Sequence, residues 1–513
     1  MIAAFCTLGT LAAALPFFAL FQLSGYRAVR DRKARKFALS AELSALAAAA
    51  VGALAALFAD ALTYFALAPF FAVFAVALTV RALKRFAKTP PRVTARFVRL
   101  CASGLFVCAA AGVAAEFAAR GAGMRWSGLF AAATYALAPA SAYAALALSL
   151  PGERAIAAKY KRRCRRALAA KPELLTIAIT GSFGKTGVKT YLAAMLSSHY
   201  RVFASPKSYN TPAGICLSVA AMPKDAQIFI AEVGARKRGD VAEICKMIEP
   251  SYGLVTGVAE QHLETFGSFE NVFAAKRELP DHLAAHGGTC CFNTRNGGAA
   301  RMYRECGCRA LSSGDCGDCA IEGVSLSAEG SAFTLVFCDG ERAECRTRLL
   351  GLANIENVAL AACAAHDLGV SASEIAAAVA ALEPAPHRMQ LIRSGALTII
   401  DDSYNANPAG VKNAFDALGL FEGKRAVATQ GIVEGGKEGV RLNFELGREL
   451  AAVADVAIAI GPNAADIERG LASAGYLGKL YVTRDLEDAK RLFATALDGA
   501  SVLLIQNDLP DNY

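Results

Sequence analysis

Ile177-Ala178-Ile179-Thr180-Gly181-Ser182-Phe183-Gly184-Lys185-Thr186-Gly187 is the stretch that decides how this chain is read. Its first residues continue a β-rich apolar run from Leu174, and from Thr186 to Leu196 the pattern turns helical. A strand, a short glycine-containing loop with Gly-Lys-Thr, and a helix together form a phosphate-binding device, because the helix start offers unpaired N–H groups and the positive end of its dipole. Gly181 and Gly184 allow close backbone approach, Lys185 neutralises phosphate charge, and the Thr186 hydroxyl can ligate Mg²⁺. The usual loop has a further glycine five residues before its Gly-Lys pair, a position held here by Ile179 inside the strand. The loop is a shortened one.

Outward from the loop, short β-rich runs alternate with helical segments: ELLTIAIT, YRVFAS, AQIFIAEVG, YGLVTGV and GTCCFN. That order predicts an α/β domain with a parallel sheet covered on both faces. SAFTLVFCDGERAECRTRLL alternates at period two around Asp339-Gly340 and predicts an antiparallel flap. ENVALAACAAHDLG reads as a helix, and the proline-containing ALEPAPHR (381–388) as a linker. ALTIIDD, RAVATQGI, DVAIAIG, KLYVTR and SVLLIQND then alternate with helices in a second α/β domain. The expected organisation is a central phosphate-binding domain over 172–383 and a Rossmann-like domain over 384–513.

The front of the chain is different material. Hydrophobic types make up 55% of the 513 residues, and the excess is concentrated before residue 150. Residues 1–24, 38–59, 61–80, 100–118 and 127–150 each approach the roughly 20 apolar residues that span a bilayer. Five transmembrane helices are expected. The opening MIAAFCTLGT lacks the basic region of a secretory signal. Basic residues collect in 26–36, 81–99 and 153–166, whereas the alternate connections are nearly balanced. This places the N-terminus outside and the chain after 150 in the cytoplasm, with 151–171 as a basic linker. The net charge of +9 comes mostly from these loops and gives no reason to expect nucleic acid. The 15 cysteines show no secreted disulfide framework, and Cys306, Cys308, Cys316 and Cys319 form the one spacing that could hold zinc.

Four further motifs join the loop: YNTPAG (209–214), AEVGAR (231–236), GVAEQHLETFGS (257–268) with Lys276 beyond it, and DDSYNANP (401–408). Together they resemble the Mur ligase family, the ATP-dependent enzymes that add amino acids or peptides to the bacterial cell-wall precursor, and within it the D-alanyl-D-alanine-adding MurF type. The likeness covers residues 172–513 and makes the shortened loop the family's ATP loop. It implies two Mg²⁺ ions, with Thr186 and Glu232 at the first, His262 at the second, and Lys276 as a carbamate beside them. It further implies that Arg388 reaches the ATP phosphates, Asp402 the ribose and Asn293 the adenine, and that Tyr404, Asn405 and Asn407 line the hinge side of the nucleotide. The chain departs from the family pattern at Gly257, Arg295, Ala353 and Asn443, which bear on the adenine contacts and the substrate pocket.

The resemblance implies a ligase that activates a carboxylate as an acyl phosphate and couples an amine, D-alanyl-D-alanine or another, to a muramyl-peptide precursor. Soluble members begin with a domain for the UDP-muramoyl end of their substrate. Here membrane helices and a short linker stand in its place, so a lipid-linked precursor is expected, with the UDP-linked form as alternative. A Mur-like subunit of an amidotransferase and a non-catalytic membrane scaffold are the other readings. Turnover of ATP separates the scaffold from both enzymes.

Overall fold

A computed structural model describes residues 2–23, 93–122, 130, 133–134, 136–261, 263–404, 406–433 and 435–506. The chain divides into two compact units, one over Met1–Lys159 with Asp511–Tyr513, the other over Tyr160–Pro510.

In the first unit, α1 (Ile2–Leu23) packs on α2 (Ala95–Ala122) and the start of α3 (Ala138–Ala169). Phe17, Phe18 and Phe21 are enclosed with Leu100, Ala142, Ala145 and Leu146. Among the described residues one helix, Ala95–Ala122, is long and apolar enough to cross a membrane. The expected spans 38–59 and 61–80 lie outside the described residues. The stretch expected as a basic linker is helical through Ala169, because α3 runs without a break from apolar Ala138–Leu150 into the Arg- and Lys-rich segment.

The second unit holds both α/β domains. Its first sheet is built from β1 (Leu175–Thr180), β2 (Val202–Ala204), β3 (Ile228–Glu232), β4 (Tyr252–Val255), β5 (Thr289–Asn293), β6 (Arg309–Gly314), β7 (Cys319–Ser327), β8 (Gly330–Phe337) and β9 (Arg342–Thr347). They lie in the order β2-β3-β1-β4-β5-β6-β7-β8-β9. Helices α4 (Lys185–Leu196), α5 (Pro212–Ala221), α6 (Asp240–Ile248), α7 (Leu263–Phe266), α8 (Phe269–His286) and α9 (Gly297–Glu305) alternate with the first six strands. β1 through β7 run parallel, and strands such as β3 and β4 are buried along their whole length, as a sheet covered on both faces requires. The expected flap is antiparallel, but β7, β8 and β9 continue the main sheet rather than stand apart from it. Helices α10 (Leu352–Asp367) and α11 (Ala372–Ala380) follow.

The second sheet has the order β10-β11-β15-β12-β13-β14. Its strands are β10 (Gln390–Ser394), β11 (Leu397–Asp402), β12 (Arg425–Thr429), β13 (Val456–Ile460), β14 (Lys479–Thr483) and β15 (Val502–Gln506), joined by α12 (Pro408–Leu418), α13 (Gly439–Leu450), α14 (Ala464–Ser473) and α15 (Leu486–Ala496). β10 is an antiparallel edge strand that the sequence reading did not include.

The sheet of the central domain also separates the cysteines. Cys319 lies in the core on one face with Cys291, Cys345 and Cys363, while Cys306 and Cys308 pack into the core on the other with Cys290. Among the described residues no three His, Cys, Asp or Glu side chains are placed to share a metal ion, so the proposed four-cysteine zinc set is not assembled.

Candidate active site

β1 is the point where the strand order turns, with β3 on one side and β4 on the other. Crevices of open α/β sheets form at the carboxyl ends of such strands, and the Gly181–Lys185 loop leaves β1 there. Gly184 caps α4 with φ 75°, and no side chain caps that helix end. A Cβ at Gly184 would collide with the Asn357 amide as well as strain the left-handed backbone. The loop is tied down from behind: the Ser182 N–H donates to the Gly257 carbonyl over 2.8 Å, and the Ser182 hydroxyl donates to the Ala259 carbonyl over 3.0 Å.

Parallel register aligns Ile179 of β1 with Glu232 of β3. The carboxylate of Glu232 therefore emerges beside the first turn of α4, where its Oε2 accepts from the Thr186 hydroxyl at 2.9 Å. Its Oε1 accepts from Asn210 Nδ2 at 3.1 Å. Burial alone pushes this carboxyl up, but the ammonium groups of Lys185 and Lys189 outweigh it and hold Glu232 below the usual carboxylate range. Hydroxyl and carboxylate oxygens brought together in this way are the hard donors that suit Mg²⁺.

Lys185 Nζ donates to the Gly181 carbonyl at 2.7 Å, and burial lowers it to about 8. Lys276, on α8, is buried to 3% exposure and has no hydrogen-bond or ion-pair partner among the described residues. Burial, with the Lys185 ammonium second, lowers its amine to about 7. A substantial neutral fraction near pH 7 follows, and only a neutral amine is nucleophilic toward CO₂. His262 and Asn405 lie outside the described residues.

The C-terminal domain reaches the same crevice. Arg388 donates through Nη2 to the Thr186 hydroxyl at 3.3 Å and stacks over the Tyr404 ring, its guanidinium carbon 4.2 Å from the centroid. Tyr404 in turn donates its hydroxyl to Ser208 at 2.9 Å. Flanking Arg388, His387 and Met389 take left-handed φ values of 61° and 52°, unusual for residues with a Cβ. The Met389 N–H donates to Asp402 Oδ1 at 3.3 Å, and loss of hydration raises the Asp402 carboxyl to about 7 against the pull of Arg388.

Some motif residues turn out to build helices. In NTPAG, Thr211 caps α5 by accepting from the Gly214 N–H, and in NANP, Asn407 caps α12 by accepting from the Gly410 N–H. Each cap precedes a proline at the first helical turn, where the missing N–H costs nothing. Asn293 is 2% exposed and donates to the Thr256 carbonyl and to Glu356, both at 3.1 Å. Arg295 pairs with that same Glu356 and with Asp315.

Two departures from the family pattern have physical reasons. A Cβ at Gly257 would stand 2.6 Å from the Phe183 ring, so the phenyl group of the loop fills the space a larger residue would need. Asn443, fully buried, accepts from the Ile432 N–H at 2.7 Å and donates to the Ile432 and Gly439 carbonyls, fixing the chain after β12.

Sequence reasoning missed Lys189. It lies one turn beyond Lys185 and forms a buried ion pair with Glu232 at 3.3 Å. In the sequence it is one lysine of an amphipathic helix, and only its depth singles it out.

A phosphate loop at the turning point of a parallel sheet, an oxygen-donor pair beside it and a second α/β domain supplying an arginine define an ATP-using enzyme of two α/β domains. Comparison with known proteins specifies it further. Residues 179–365 match the Mur ligase middle domain and residues 387–505 the Mur ligase glutamate ligase domain. The chain is 31% identical over 346 residues to the UDP-N-acetylmuramoyl-tripeptide--D-alanyl-D-alanine ligase of Mycobacterium bovis, covering 65% of this chain and 67% of that one. It is 29% identical over 248 residues to the Bacillus subtilis enzyme of the same name, covering 48% and 53%. Among solved structures, MurF from Acinetobacter baumannii superposes with a TM-score of 0.63 at 24% identity, covering 69% of this chain and 77% of the other. MurF from Thermotoga maritima, solved with ADP, gives a TM-score of 0.60 at 23% identity, covering 69% and 80%. The chain belongs to the Mur ligase family, and is by class an ATP-dependent ligase.

Proposed function

We propose that this protein is a MurF-type ligase that joins D-alanyl-D-alanine to a muramyl-tripeptide precursor at the expense of ATP. The observation that carries the reading is the convergence of Lys185, Thr186, Glu232 and Arg388 on one crevice, in a chain whose mycobacterial relative is named for that reaction. Gly181, Gly184 and Lys185 hold the nucleotide phosphates, and Arg388 approaches them from the C-terminal domain. Asp402, Tyr404 and Asn405 are assigned to the nucleotide from that same domain, and Asn293 to the base.

Thr186 and Glu232 would hold one Mg²⁺, and His262 with a carbamylated Lys276 a second. Bound there, the ions would offset charge on the γ-phosphoryl group as it passes to the substrate carboxylate. Lys185 stabilises the same developing charge from the loop. The resulting acyl phosphate is attacked by the amine of the incoming dipeptide, and amide, ADP and phosphate result. The depressed amine of Lys276, buried and without a hydrogen-bond or ion-pair partner among the described residues, supports its assignment as the carbamate.

Membrane attachment rests on a separate observation. Helix α2 exposes Leu105, Phe106, Val113 and Phe117, with Phe106 at 67% and Phe117 at 70%. Rows of exposed large apolar side chains on a span-length helix suit lipid better than water. We assign the front of the chain to a multi-pass membrane domain of five crossings with the catalytic domains in the cytoplasm. A lipid-linked precursor is then the favoured acceptor and the UDP-linked form the alternative.

The test is phosphate release by the detergent-solubilised full chain. Release that requires ATP, a muramyl-tripeptide acceptor and D-alanyl-D-alanine together supports the reading. Release that ignores the dipeptide but follows ammonia would favour the amidotransferase alternative, and none under any combination the scaffold.

A further inference from the structure

Among the described residues, Lys189 is the cation of the crevice to which the reaction described above gives no task. It is 4% exposed and reaches three acceptors: the Ser205 carbonyl at 2.8 Å, the Lys207 carbonyl, and Glu232 Oε2 at 3.3 Å. Thr186 and Lys189 stand three residues apart on α4, so they share a face and converge on that one carboxylate oxygen. The grip extends along the chain. Ser205 Oγ accepts from the Glu232 N–H, Lys207 is held at φ 48°, and Asn210 donates to the other carboxylate oxygen.

A carboxylate facing a phosphate crevice poses an electrostatic problem. Until a cation lies against it, its charge repels the polyphosphate the loop is built to bind, and low-dielectric surroundings strengthen that repulsion. Lys185 also lowers the Glu232 carboxyl through its charge, but its ammonium is hydrogen-bonded to the loop carbonyls of Gly181 and Ser182, whereas the Lys189 ammonium bonds the carboxylate itself. The Ser205 and Lys207 carbonyls anchor Lys189 against Glu232 and keep it from following the nucleotide.

We propose that Lys189 is a positioning residue, the built-in counter-ion of Glu232, which takes over the metal's charge-compensating role when the crevice is metal-free and fixes the Ser205–Asn210 loop around the carboxylate. The inference rests on Glu232 belonging to the metal site. It gives metal-free nucleotide a crevice without an unscreened negative charge, and makes the wild-type site less dependent on Mg²⁺ for holding ADP than its carboxylate alone would allow.

The test measures ADP dissociation constants with and without Mg²⁺ for the full chain and for Lys189→Met, Lys189→Gln and Glu232→Gln, with thermal melting as the check on folding. Lys189→Gln keeps an N–H donor for the two carbonyls, so it reports on charge if the methionine variant does not fold. Removing the ammonium should weaken metal-free ADP at least about tenfold and Mg²⁺-ADP no more than about threefold, so that the enhancement by Mg²⁺ grows. Loss of both affinities by the same factor, or no change in metal-free binding, would overturn the proposal. Glu232→Gln separates the two levels. If that variant keeps the full Mg²⁺ enhancement, the metal assignment itself fails and the counter-ion role with it. If it loses the enhancement while the Lys189 variants shift both constants equally, only the role of Lys189 is refuted.

Discussion

Arg388, from the C-terminal domain, donates to the hydroxyl of Thr186 in the phosphate loop across 3.3 Å. Two residues separated by 202 positions thus meet at the atom assigned to the metal, and the same guanidinium lies over Tyr404. Arg388→Ala should lower kcat by at least about 100-fold, as expected for a cation placed where charge develops. Tyr404→Phe keeps the ring beneath Arg388 and loses only the Ser208 bond, so it should cost less than about fivefold. Steady-state kinetics of the two variants check this, and equal losses would show that the ring stack is not what orients the arginine.

Lys185→Ala removes the ammonium of the loop while leaving β1 and α4 their own backbone bonds. Turnover should disappear with the melting temperature nearly unchanged. Wild-type-like turnover in that variant would place the ATP site elsewhere.

For Lys276, burial without a partner among the described residues is the motive. Lys276→Ala should be nearly inactive and regain activity with added formate or acetate, small carboxylates that can occupy the position of the carbamate. Full activity without rescue would leave Lys276 as a buried helix residue only.

A third loop contact is testable by a double-mutant cycle. Gly257→Asn places a side chain against the Phe183 ring and should cost at least about 1 kcal/mol of stability as well as nucleotide affinity. Adding Phe183→Ala vacates that space and should recover part of both losses, giving a coupling that independent sites would not show. Additive effects in the cycle would mean the two side chains do not share the space.

The pH dependence has a sign fixed by Asp402. Its folded-state carboxyl titrates at about 7, above the unfolded value of 3.8, so the folded protein holds the proton more tightly. The contribution to stability is fully present below about pH 3.8 and is lost as pH rises through about 7. Asp402→Asn should therefore flatten the fall of stability between those limits in urea titrations. An unchanged slope would show that another group carries it.

The sequence carried the central domain well because its signals are local. Period-two runs, Gly-Lys-Thr and the Asp339-Gly340 turn each depend on neighbours within a few positions, and β1, α4 and the β8–β9 hairpin all follow. What it could not carry depends on packing between distant segments. That β7 to β9 extend the main sheet follows from β6 pairing with β7, not from the hairpin itself. The basic stretch after 150 was read as a linker for its charge, yet residues with good helix propensity simply extend α3. At the site, Lys185, Thr186 and Glu232 were legible from their motifs. Lys189 was not, because an amphipathic pattern places lysines on the solvent face and here the face is the crevice. The cap roles of Thr211 and Asn407 are legible as well, since each precedes a proline at a helix start, although the resemblance implies for Asn407 a place beside the nucleotide.

The most direct test of the central claim is mass spectrometry of the product. The full chain, solubilised in detergent, is incubated with ATP, Mg²⁺ and D-alanyl-D-alanine, with lipid-linked and UDP-linked muramyl-tripeptide offered separately, beside the Lys185→Ala variant. The account predicts a new amide with D-alanyl-D-alanine on the muramyl peptide, formed with one ADP per product and absent with the variant, with the lipid-linked acceptor preferred. No amide on either acceptor, from a folded protein that binds ATP, would contradict it.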